Sequence, residues 1–220
     1  MLPPDSGNMK KLFSAIRSGE INTVKAIIQK EPVLIACTAK QPPKKDDGQS
    51  PLQVAIKSGR FEIANYLLDC GADVNFMESE NCANPWRMPV LQDAIRAAIF
   101  SCRSNVIRPS GAVESLSTKE EADAAYILLK RILDMGAKAD CRDSFGNSCL
   151  TRAILDARQV LPTREGSGDR LMTQELQADL YRIFQLLYEV GVDFAETDRD
   201  WNKPIQDLYA DEPVGAFLQM

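Results

Sequence analysis

The chain has 220 residues, 45% hydrophobic and 26% charged, with a formal net charge of -5. That composition is ordinary for a globular protein, and its acidic balance argues against a general phosphate-backbone binder, whose footprint is basic. The sequence holds no histidine, which removes the commonest general base and zinc ligand and excludes Ser–His and Cys–His catalysis within the chain.

Residues 1–10 read as a loose N-terminal segment. From Lys11 to Lys30, KLFSAIRSGEINTVKAIIQK predicts two short helices reversing at Ser18-Gly19, with Glu31-Pro32 as the stop. A long link follows, with Pro42-Pro43-Lys44-Lys45 inside it, read as a solvated loop. The next stretch, KDDGQSPLQVAIKSGRFEIANYLLDCGADVN, has turn chemistry at Asp46, Asp47 and Gly48. Ser50-Pro51 then fits a helix start, a polar cap followed by Pro at the first helical position. Leu52, Ala55 and Ile56 form one apolar stripe. Phe61, Ala64, Leu67 and Leu68 form a second, closed by Gly71.

The pair repeats. Leu12, Ala15, Ser18-Gly19 and Ile27-Ile28 fall on Leu52, Ala55, Ser58-Gly59 and Leu67-Leu68 at an offset of 40. Gly48, Ser50-Pro51-Leu52, Ala55, Gly59, Leu67-Leu68, Gly71-Ala72-Asp73 and Asn75 together resemble the ankyrin repeat. Leu91-Gln92-Asp93-Ala94-Ile95 opens a third unit, and its second helix resumes after Phe100–Ser117 at Thr118-Lys-Glu-Glu121, a capping box. Asp143, Gly146, Ser148 and Leu150 open a fourth, interrupted by Pro162–Asp169, a Gly- and Ser-bearing stretch expected to be mobile. Pro204-Ile205 opens a fifth, which a short helix over Pro213–Leu218 closes.

The equivalent Leu/Ile positions (12, 52, 91, 150, 205) are spaced by 40, 39, 59 and 55, against a family period of about 33. The expectation is therefore an all-α ankyrin-repeat solenoid of about five helix-turn-helix units, joined by turns or short hairpins and enlarged by insertions. The units run roughly over 11–44, 45–83, 84–142, 143–197 and 198–220. Two departures from the family pattern stand out. The histidine the family places after Pro-Leu is replaced by Gln53, Gln92 and Gln206, and Gln can donate and accept as histidine does. The turn glycine, present as Gly48 and Gly146, is replaced by Arg87 and Trp201.

The resemblance implies a module that binds another protein through its turn tips and inner helix faces, with no catalytic residues and no cofactor. The family's contact positions fall on Asp46, Asp47, Gln49 and Lys57 in the second unit, and on Trp86, Met88 and Arg96 in the third. They fall on Ser144, Phe145 and Asn147 in the fourth unit, and on Arg199, Asp200 and Asn202 in the fifth, with Trp201 beside them. Aromatics are unusual at turn tips, so Trp86, Phe145 and Trp201 carry two readings. Either each tucks onto the neighbouring repeat, or together they present a row of binding anchors. The numerous carboxylates read as caps and solvated charge, not as acid–base pairs.

An acidic total favours a protein partner with a basic surface, no nucleic acid and no membrane, and a monomer or weak homo-oligomer. A regulatory or inhibitory subunit acting on one target remains an alternative, as does self-assembly. The six cysteines, at 37, 70, 82, 102, 141 and 149, form no CxxC and read as reduced thiols, with no metal site. No leader and no long apolar run are visible, so a cytoplasmic protein is expected, although export by a leaderless route would leave no mark.

Overall fold

The computed structural model describes residues 6–162, 169–198 and 201–219. Helices pack in two rows. The inner row is α1 (Ser6–Ser18), α3 (Pro51–Lys57), α5 (Val90–Phe100) and α7 (Cys149–Val160), each against the next. The outer row is α2 (Ile21–Lys30), α4 (Phe61–Asp69), α6 (Lys119–Asp134) and α8 (Gln174–Glu189). A last turn, α9 (Ile205–Leu208), and a 3₁₀ helix over Pro213–Phe217 close the stack. The first helix begins at Ser6, so Ser6–Lys10, expected to be loose, are helical.

Local chemistry sets the helix starts. Ser50 accepts from the Gln53 amide while the Gln53 side chain accepts from the Ser50 amide, and Thr118 with Glu121 forms the same reciprocal box. Ser148 and Thr173 each accept from the amide three residues on. Leu52, Leu91 and Leu150 each occupy the second position of an inner helix, and all three are buried within the stack. One core cluster runs from Leu12 to Leu218, through Leu67 and Leu68 of the outer row. At the far end Phe184 stacks on Phe217 with ring centres 5.6 Å apart, which seals the last repeat. Gly215 is required there, because a Cβ would lie 2.3 Å from the Tyr209 carbonyl oxygen.

The two insertions meet. β1 (Asn105–Ile107) and β2 (Val113–Ser115), both from the first insertion, pair antiparallel, and β3 (Arg170–Leu171), at the end of the second, adds to the other edge of β1. Asp179 of α8 holds this sheet to the solenoid. It accepts from the Arg103 backbone N–H at 3.1 Å and from the Arg103 guanidinium at 2.9 and 3.0 Å. Of the segment Pro162–Asp169, expected to be mobile, residues 163–168 lie outside the described residues.

Candidate protein-binding face

The turns that lead into the inner helices line up along one edge of the stack, and hydrogen bonds tie each to the next. Ala39 and Gly48 close the second unit's turn, with Gly48 at a φ of +82° and a Cβ there only 2.5 Å from the Cys82 Cβ. Asp47 reaches across, accepting from the Gln41 and Ala83 amides at 3.2 and 2.7 Å. The Arg87 carbonyl accepts from the Ser144 amide at 3.0 Å, and the Ser144 hydroxyl accepts from the Arg87 amide at 3.0 Å. Among the described residues no positive-φ residue stands in the third turn, so its glycine's role is taken by this docking onto the fourth. In the fifth turn Asn202 adopts a φ of 50°, one residue after the Trp201 position expected to replace the glycine. Asn accepts this conformation at low cost, whereas Trp would be strained in it.

Gln53 and Gln92 act as inter-repeat ties, whereas Gln206 ties the fifth unit to its own closing turn. Gln53 Nε2 donates to the Met88 carbonyl at 2.8 Å and to Asp93 at 3.0 Å. Gln92 Nε2 donates to the Asn147 carbonyl at 2.9 Å, and Gln206 Nε2 to the Leu218 carbonyl at 2.8 Å. Behind the second and third turns Asp93 and Glu78 are both buried, with the Lys57 ammonium 3.3 and 3.9 Å from them. Burial pushes the Asp93 carboxyl up to about 6, against the pull of Lys57 and with help from the Glu78 charge.

The expected contact residues divide. Asp46, Gln49 and Met88 are buried, so their side chains do not reach a partner's surface. Asp46 instead pairs with Arg17 at 2.7 Å, Gln49 donates to the Lys45 carbonyl, and Met88 is buried with its amide donating to Glu78 at 3.0 Å. Asp47 and Lys57 are committed to the internal bonds just described. Ser144 also donates to the Pro85 carbonyl at 2.9 Å, and Asn147 donates to Asp143, again at 2.9 Å. Arg199 and Asp200 lie outside the described residues.

The aromatics split the same way. Trp86 is half-buried, donates from Nε1 to Asp143 at 3.0 Å and sits beneath the guanidinium groups of Arg96 and Arg152, 5.8 and 5.0 Å from its ring centre. Asp156 accepts from both arginines, 2.7 Å from Arg96 and 2.8 Å from Arg152. Its carboxyl is raised by burial, which the two guanidinium groups oppose. Phe145 meets Trp86 edge-on at 6.4 Å and remains 63% exposed, and Trp201 is 71% exposed. Packing thus takes one aromatic, and solvent keeps two.

Beside Phe145 a cavity of about 410 Å³ opens between the fourth and fifth turns, lined also by Arg142, Thr151, Glu196 and Ile205. Glu196 is fixed at its wall by Ser148, Thr151 and Arg142. None of Arg142, Glu196, Arg152 or Asp156 was singled out in the sequence. The last two had a signal, since an Arg and an Asp four apart on an inner helix of otherwise apolar pattern point to a buried pair. Among the described residues no group of three or more Cys, Asp and Glu could hold a metal ion, and no helix is long and apolar enough to cross a membrane.

A family model described as ankyrin repeats (3 copies) matches residues 4–78. The paired-helix architecture continues through the rest of the described chain, so the likeness to ankyrin repeats extends in fold beyond the matched residues. Ankyrin repeats are generally protein–protein interaction modules and generally non-catalytic. No curated protein matches the chain.

Proposed function

We propose that this chain is a non-catalytic adaptor that binds a partner protein along the turn edge of its third to fifth repeats. Phe145 and Trp201 would be the anchors. The observation that carries this reading is the exposure of two large aromatics, 63% and 71%, on turns whose neighbouring residues are fixed by hydrogen bonds. Rigid aromatics bury much area for little entropy, which is why they dominate binding hot spots. Arg142 and Glu196 add polar contacts around the adjacent cavity. Trp86 serves the face from below, setting the position of Phe145.

The test compares partners captured from source lysate by the wild type and by Phe145→Ser/Trp201→Ser. Both side chains are exposed, so the variant should melt within a few degrees of wild type. A protein held by the wild type and released by the folded variant supports the face. Equal capture by both removes it.

A further inference from the structure

The charge of this chain is unevenly spread. Residues 1–45 hold eight Lys and Arg against three Asp and Glu, whereas residues 46–220 hold 18 against 28, so a basic first unit fronts an acidic body. Along an elongated repeat stack such a division places the two signs at different ends. Within the basic unit, α1 and the link that leads to α3 enclose a cleft of about 270 Å³. Its lining includes Met9, Phe13, Ala39 and Pro42, with Lys10, Arg17 and Lys40 around them. Arg17 is neutralised by Asp46. Among the described residues no carboxylate lies within ion-pair distance of Lys10 or Lys40, nor of Lys44 and Lys45 just beyond, and all four are exposed.

An apolar cleft with unpaired cations beside it fits one kind of guest: an apolar side chain to enter, with carboxylates on either side of it. We infer that the first unit binds an acidic peptide segment of a partner protein, anchored by a large apolar residue in this cleft. The inference rests on the protein-binding reading above and adds a second contact of opposite charge preference. A nucleic acid would use the lysines but not the cleft, because the aromatic ring in it, Phe13, is 96% buried and offers no surface to stack on (4% exposed). A partner with a basic patch for the acidic body and an acidic segment for this cleft would be aligned by charge before it docks.

Fluorescence anisotropy on the full chain tests this with a labelled peptide carrying a Leu-Phe pair between runs of Asp and Glu. Three controls accompany it: the peptide with Gly-Ser for Leu-Phe, the peptide with Lys for its acids, and a single-stranded oligonucleotide. The expected result is binding of the first peptide only, weakened at least tenfold by Lys10→Glu/Lys40→Glu with an unchanged melting curve, and weakened by salt. Phe145→Ser/Trp201→Ser should bind the peptide as wild type does, so a failure of the turn edge and a failure of this cleft are read separately. No binding, equal binding by the Gly-Ser peptide or the oligonucleotide, or a concentration-dependent mass abolished by the lysine variant would overturn the inference. The last of these would assign the face to a second copy's acidic body instead.

Discussion

Gln53 is wholly buried and makes four hydrogen bonds: its own amide donates to the Ser50 hydroxyl, its Oε1 accepts from the Ser50 amide, and its Nε2 reaches the Met88 carbonyl and Asp93. Gln53→Leu removes the side-chain partner of the Ser50 amide, the Met88 carbonyl and Asp93 Oδ2 in the interior. We expect a loss of about 2–3 kcal/mol in urea unfolding, and an unchanged midpoint would show that the tie between repeats is dispensable. Asp93 behaves oppositely with pH. Its folded value of about 6 exceeds the ordinary value of 3.8, so between those values the folded state holds a proton that the unfolded chain has released. This group's contribution to stability is therefore full below about pH 4 and is lost as pH rises through 6. Lys57, Glu78 and Gln53 are the groups that face it. Asp93→Asn should gain stability relative to wild type between pH 4.5 and 7.5, by no more than about 3 kcal/mol. A difference that stays flat over that range would contradict the buried, neutral form.

At the scale of elements, the helix caps were readable and the sheet was not. Ser50, Thr118 and their partners three residues on carry their signal within four positions, so the starts of α3 and α6 follow from the sequence alone. β1 and β3 are separated by more than 60 residues and pair over two positions, too short for any hydrophobic alternation to show. The Ser- and Gly-bearing insertions therefore read as loops. Their order depends on Asp179, whose spacing to Arg103 of 76 residues no local pattern could reveal. Asp179→Ala should cost about 2 kcal/mol, because Arg103 is partly exposed and can turn to water. The amides of Val106, Ile107 and Leu171 should also exchange faster with deuterium. Unchanged exchange there would mean that the strands hold without their anchor.

At the scale of the whole molecule, the paired-helix stack was legible because Leu or Ile recurs at positions 12, 52, 91, 150 and 205 despite the uneven spacing. The division of the aromatics was not. Trp86 is drawn inward by Asp143 and two guanidinium groups supplied from α5 and α7, and that convergence exists only once the helices stack. Likewise, burial of Asp46, Gln49 and Met88 belongs to the folded turns, where Asp46 meets Arg17 and Gln49 the Lys45 carbonyl, and is not set by residue type.

The turn edge of the third to fifth repeats is the proposed binding face. Hydrogen exchange of the chain alone and in complex with its captured partner tests it most directly. Slower exchange on binding is expected over residues 84–88, 142–147 and 201–205, with the outer helices α4, α6 and α8 unchanged. Protection confined to those outer helices, with the turns exchanging as before, would contradict it.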